Sequence, residues 1–238
     1  MINSIGRRAR LALQSDVGEN LKEGVAKHAW ETRPMWAEVR LCATCGLRYP
    51  WYESQPDRER CPACRAPTRP LATWETGTRV PCSPRSAPRR RVALVVDNVR
   101  SAWNVGALFR TADGLGVERL YLCGITPTPV HPKVHKTALG AEESVVWEHA
   151  PNTADILIRL RTRGWQVWAL EQAPGARPLN AVELPEGRVA LVVGNEVCGV
   201  GPDLFPLCDA LICLPMRGMK RSFNVEVAAA ILLWALTS

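Results

Sequence analysis

From residue 92 onward the chain alternates short apolar runs with longer amphipathic stretches, and few folds accept that pattern. The run at 92–96 is continuously apolar, and those at 119–123, 165–170, 189–193 and 210–214 are mostly apolar strands of similar length, too short for core helices. Such runs belong in a parallel sheet covered on both sides. Between them lie helical patterns. Residues 103–115 place Val105, Leu108, Phe109, Ala112 and Leu115 on one face, and Gly114 and Gly116 end the helix. Residues 153–163 do the same with Ile156, Leu157 and Leu160, and 202–207 form a short helix. A further strand is expected at 144–148, after a long loop over 124–140 that carries Pro127, Pro129 and Pro132. The fold class is therefore α/β: an open, mostly parallel sheet with helices on both faces.

The last helix differs from the others. Residues 225–236 are apolar almost all round, which calls for burial against more than one neighbour, in the core or against another subunit. The run is shorter than the roughly 20 apolar residues a bilayer requires. Ser222 or Asn224 is suited to cap this helix. No transmembrane run and no signal peptide are visible, so a cytoplasmic protein without a membrane partner is expected.

Charge separates the two parts of the chain. Residues 1–91 hold 17 Lys/Arg against 9 Asp/Glu, a net +8, whereas 92–238 carry −1. A concentrated basic segment points to a polyanion, with nucleic acid the first candidate and a solvated basic face the alternative. Within that segment, residues 7–30 show apolar positions every fourth residue, a docking-helix pattern weakened by Gly18 and Gly24. Cys42-x-x-Cys45 and Cys61-x-x-Cys64 then follow, fifteen residues apart. This is the spacing of a four-thiolate structural Zn²⁺ site, with two tight turns each aiming two sulfurs at one ion. Arg40, Arg48, Tyr49, Trp51, Tyr52, Arg58, Arg60, Arg65 and Arg69 surround it. Arginine interleaved with aromatics suits phosphate contact and base stacking; Trp51 and Tyr52 can equally form the ribbon's own small core. The expected organisation is a helical segment (1–37), a zinc ribbon (38–70), a basic Pro/Ser-rich linker (71–91) that includes Cys82, and an α/β domain (92–238). Cys123, Cys208 and Cys213 read as small core hydrophobes, and His131, His135 and His149 show no metal spacing.

Three segments of the α/β domain carry polar residues and glycines at strand or helix ends: 98–110, 193–201 and 214–224. The second and third follow apolar strands, so both loops reach the carboxyl edge of the sheet, where open α/β folds bind ligands. Neither a G-x-G-x-x-G fingerprint in a first βα turn nor a phosphate-binding P-loop is present.

Taken in order, NVGALFRTA (104–112), GNEVCG (194–199) and LPMRGMKRSFNV (214–225), with KTALGAEE (136–143) between them, resemble the motifs of the SpoU/TrmH branch of the SPOUT RNA methyltransferases. The resemblance covers about residues 92–238. It implies S-adenosylmethionine as methyl donor, a ribose 2′-hydroxyl of tRNA or rRNA as acceptor, a homodimer, and a C-terminal trefoil knot threaded through the loop at 194–201. It further implies that Gly194, Asn195, Glu196, Gly199, Leu214, Met216, Ser222 and Phe223 line the cofactor site. Arg110, Asn104, Glu196, Ser222 and Asn224 would form the catalytic set. Arg110 stands where the family has its base, yet a guanidinium keeps its proton to above about pH 12, so a clamp on the adjoining phosphate or forming alkoxide is the other role open to it. Phe223 and Val200-Gly201 depart from the usual Leu and Leu-Ser. The rival expectation is a non-catalytic dimeric RNA-binding protein built on a methyltransferase-like core.

Overall fold

A computed structural model describes residues 36–76 and 90–238. The helical stripe at 7–30, Cys82 and most of the basic linker lie outside these residues. The chain divides into two compact units, Met1–Thr78 and Arg79–Ser238.

The first unit is a three-stranded antiparallel sheet, with β1 (Trp36–Cys42) between β2 (Arg48–Tyr52) and β3 (Thr68–Glu75). β3 runs on to Glu75 through residues assigned above to the linker. β1 is long enough to pair with it from Trp36↔Glu75 to Cys42↔Thr68, and a bulge at Val39/Arg40 absorbs the mismatch in register. Beneath one face, Glu38 is buried and paired with Arg40 and Arg58, and Arg40 also donates to Thr68 O at 2.8 Å. The Arg58 hydrogen bond, helped by Arg40 and opposing the cost of burial, holds the Glu38 carboxyl below the usual carboxylate range. Arg58 also lies over the Trp51 ring, 5.2 Å from its centroid. Of the basic residues read from the sequence as phosphate contacts, Arg40 is buried in this pairing, whereas Arg58 reaches Glu38 from an exposed position. A buried carboxylate needs cations, and these two supply them.

The second unit is a seven-stranded sheet in the order β6-β5-β4-β9-β7-β10-β8, and every pairing in it is parallel. Its strands are β4 (Arg91–Asp97), β5 (Arg119–Cys123), β6 (Trp147–Ala150), β7 (Gln166–Leu170), β8 (Arg177–Pro178), β9 (Arg188–Val193) and β10 (Ala210–Cys213). The helices are α1 (Ala102–Leu115), α2 (Pro132–Ala138), α3 (Ala141–Ser144), α4 (Thr153–Thr162) and α5 (Val225–Thr237), and Pro202–Leu207 is 3₁₀. Alternate strand residues feed two cores. Val92, Leu94, Val96, Val189, Leu191 and Val193 pack under α1, α2 and α5. Ala93, Val95, Ala190 and Val192 pack against α4 and the 202–207 turn. Helices therefore cover both faces, as expected.

Three segments differ from the sequence reading. The prolines of the 124–140 loop mark a helix start as well as a turn: Pro132 opens α2 and His131 caps it. The strand expected at 144–148 begins at Trp147 because α3 takes up 141–144. The two-residue strand β8 carries no apolar run and was not anticipated. His135 pairs with the buried Glu142, and His149 reaches Gly124 O, so both serve local structure. Among the described residues no helix is long and apolar enough to cross a membrane.

Candidate functional site

The cleft sits at the carboxyl ends of β7, β9 and β10, the edge at which open α/β sheets bind ligands. It holds about 730 Å³ of empty space, part of it open to solvent. All eight residues expected at a cofactor site line it: Gly194, Asn195, Glu196, Gly199, Leu214, Met216, Ser222 and Phe223.

The loop after β9 is tied tightly. Asn195 and Gly199 exchange backbone hydrogen bonds of 3.0 and 2.9 Å. The Asn195 side chain is spent on the same turn, with Oδ1 accepting from Val197 N and Cys198 N while Nδ2 donates to Asn98 O at 2.7 Å. Gly194 is required by close approach, since a Cβ there would lie 2.1 Å from Gly199 C and 2.2 Å from Val200 N. Glu171, which the sequence reading missed, closes the other side: its Oε2 accepts from Val200 N at 2.7 Å, and the residue lines the cleft. Its only sequence signal is a carboxylate placed directly after an apolar strand. Val200, one of the departures from the family pattern, is 2% exposed in the core beside Leu204 and Val192. Phe223, the other, is 42% exposed at the cleft, so its ring stands toward solvent and does not fill the interior.

Three of the expected polar residues form one hydrogen-bonded chain across three elements. Glu196 accepts from Arg100 N at 2.9 Å, Ser101 N at 3.0 Å and Asn104 Nδ2 at 2.9 Å. Asn104 Oδ1 accepts from Asn224 Nδ2 at 3.0 Å, and Asn224 Oδ1 accepts from Glu226 N at 2.9 Å, capping α5. Between the two cap candidates, then, the cap is Asn224. The chain fixes the orientation of both amides. Partial burial pushes the Glu196 carboxyl up, but the backbone N–H groups of Arg100, Glu196 itself and Ser101, with the Asn104 amide, outweigh it and leave the group below its ordinary range. Ser222 lies on the cleft wall two residues before Asn224. Arg110 does not join this chain. It is exposed, lies on the same stripe of α1 as the exposed Trp103, and makes no hydrogen bond or ion pair to any described residue.

In the first unit the four cysteines converge. Their sulfurs all lie within 4.8 Å of one another, with Cys42···Cys64 at 3.5 Å and Cys45···Cys61 at 3.6 Å. Four thiolates at about 2.3 Å from one tetrahedral ion stand roughly 3.8 Å apart, so the set fits such an ion. The two knuckles repeat each other: Gly46 N donates to Cys42 O and Arg65 N to Cys61 O, at 3.0 and 2.9 Å. Both Gly46 and Arg65 adopt positive φ, 73° and 63°. N–H groups of Cys45 and Thr44 hold the Cys42 thiol down to about 6 against burial. At Cys45 the Leu47 N–H acts likewise, but the neighbouring sulfurs outweigh it and push the thiol up to about 12. Four sulfurs this close cannot all ionise without a cation between them.

Residues 91–234 match the family model described as the SpoU rRNA Methylase family. The chain is 34% identical over 149 residues to the tRNA (guanosine(18)-2′-O)-methyltransferase of Aquifex aeolicus (strain VF5), covering 61% of this chain and 69% of that protein. It is 34% identical to the 23S rRNA (guanosine-2′-O-)-methyltransferase RlmB of Ralstonia nicotianae (strain ATCC BAA-1114 / GMI1000) over 59% of this chain and 56% of that protein. The AdoMet-bound rRNA methyltransferase from Sinorhizobium meliloti superposes with a TM-score of 0.57 at 29% identity, over 60% of this chain and 54% of that one. The chain thus spans little more than half the length of the latter two. With the matched segment holding the parallel sheet, the cleft and the hydrogen-bonded chain beside it, this protein belongs to the SpoU methylase family.

Proposed function

We infer that this chain methylates a ribose 2′-hydroxyl of structured RNA, tRNA or rRNA. The observation that carries the reading is the cleft itself: the loops after β9 and β10 wall it, and the Glu196–Asn104–Asn224 chain holds their ends against α1. The cleft fits S-adenosylmethionine in being lined by tight backbone and apolar side chains, with Gly194 packed so closely that backbone faces the ligand. When bound there, that donor would supply its sulfonium methyl to the 2′-hydroxyl oxygen, with the thioether as leaving group and the hydroxyl proton passing to solvent.

The chain's own residues orient and neutralise. Glu196 stays anionic and pins the start of α1. Asn224 is held by Asn104, and with Ser222 it positions the ribose at the cleft mouth. Arg110 clamps the adjoining phosphate and stabilises the forming alkoxide. Because Arg110 faces outward beside Trp103, it serves the cleft of a second copy. α5 supports that dimer by exposing Val227, Ile231 and Trp234, the last 66% accessible. The segment that follows β10 threads the 194–201 loop as a trefoil knot. Arg217, Lys220 and Arg221, all exposed at the cleft rim, attract the RNA backbone. The four cysteines of the first unit hold a structural Zn²⁺, with no position open for catalysis.

The test incubates the full chain with methyl-labelled donor and separated tRNA and rRNA fractions. Incorporation into one fraction supports the reading. No incorporation, together with no donor binding by calorimetry, would favour a non-catalytic RNA-binding protein.

A further inference from the structure

Strand register sorts the basic and aromatic residues of the first unit onto two faces, because directly paired residues project to the same side. On one face Glu38 pairs with Trp51 and Thr73, and Arg40 with Tyr49 and Pro70. That side is consumed internally: Arg58 covers Trp51 and, with Arg40, neutralises Glu38. The other face carries three rows. Tyr52 and Trp74 flank Ala37, Pro50 and Ala72 flank Val39, and Arg48 and Arg69 flank Leu41. Ala37 is only 4% exposed, whereas Tyr52 and Trp74 are 39% and 41% exposed, so two half-open rings border a covered central strand. Arg48 and Arg69 are exposed and make no hydrogen bond or ion pair to any described residue. No carboxylate stands in any of the three rows.

We propose that this face binds an unpaired stretch of the substrate RNA, with bases stacked on Tyr52 and Trp74 and phosphates held by Arg48 and Arg69. The naming of RNA as occupant rests on the function proposed above. The geometry suits a single strand. The rows of rings and guanidiniums are four residues apart on β1, about 13 Å at roughly 3.3 Å per residue, so stacking and charge act on successive parts of one chain. Two flat, half-exposed rings offer π-faces that only unstacked bases can reach, and such stacking tolerates any base. A duplex offers its phosphates to the arginines but no open base to the rings. The face therefore discriminates unpaired from paired RNA, and it contributes affinity without touching the methyl-transfer step.

The experiment uses the full chain and a fluorescein-labelled uridine 12-mer, with a hairpin duplex of the same length as comparison, read by fluorescence anisotropy. The wild type should bind the 12-mer more tightly than the duplex. Tyr52→Ala with Trp74→Ala should weaken 12-mer binding about 100-fold, roughly tenfold per ring. Trp74→Phe, which keeps a stacking face, should stay within about threefold of wild type. Arg48→Gln with Arg69→Gln should weaken binding and flatten its salt dependence by about two charges. On methylation substrates the ring variants should raise KM and leave kcat unchanged. Metal analysis accompanies each variant; if the double alanine variant loses its metal, the Arg48→Gln/Arg69→Gln pair decides. Metal-replete variants that bind the 12-mer within twofold of wild type, or a wild type that prefers the duplex, would overturn the proposal. A wild type that binds through this face but transfers no methyl group would instead overturn the proposed function alone.

Discussion

Glu196 is the residue on which the candidate site turns. It accepts from two backbone N–H groups at the start of α1 and from Asn104, and these donors keep its carboxyl ionised below the usual range. A depressed carboxyl contributes stability that is fully present above its unfolded value, about 4.3, and is lost as pH falls through the folded value. Glu196→Gln should therefore lower the denaturant midpoint near neutral pH, and the gap to wild type should close in acid. Equal midpoints at neutral pH would contradict the assignment. Arg110→Ala should leave donor binding intact and reduce kcat by about 10²–10³-fold, the usual size of a lost charge-stabilising group; single-turnover kinetics with calorimetry separates the two. Residues that act through backbone were legible in the sequence, since Gly194 and Gly199 announce a close approach. Glu171 was not, because a lone carboxylate after a strand reads the same whether it binds a loop or faces water. Arg40 was read as a phosphate contact because no sequence pattern reveals the buried Glu38 that it neutralises.

At the scale of elements, the strands were the most legible part. Runs apolar on both faces have one stable home, and the register of β4, β5, β9 and β7 places them there. α2 was hidden because Pro132 signals a turn and a first helical position alike. The β3 extension to Glu75 was hidden because Pro70 reads as a linker residue, although a bulged edge strand accepts proline. The cysteine knuckles were legible from spacing alone, and their geometry carries a prediction. Cys61→Ser, or chelation, should release about one zinc per chain and make the first unit protease-sensitive. The thermal transition of the second unit should stay in place, since the two are separate compact units. Full metal retention in Cys61→Ser would contradict the four-thiolate assignment.

For the whole molecule, charge and apolar surface divide the work. The net +8 of residues 1–91 and the −1 of the remainder place the chain's excess positive charge outside the parallel sheet. α5 buries Ala229, Leu232, Leu233 and Leu236 inward and leaves Val227, Ile231 and Trp234 outward. The sequence showed that this helix is apolar all round but not which side a second copy would take. Trp234→Glu with Ile231→Glu should convert a dimer to a monomer in sedimentation equilibrium and abolish methylation while donor binding persists. Dimers of unchanged mass would contradict the assignment of this face. The central claim is the ribose 2′-hydroxyl as acceptor, and nucleoside mass spectrometry of RNA treated with the full chain and labelled donor tests it most directly. The account predicts a labelled 2′-O-methylnucleoside as the product. A label carried on the base would contradict it.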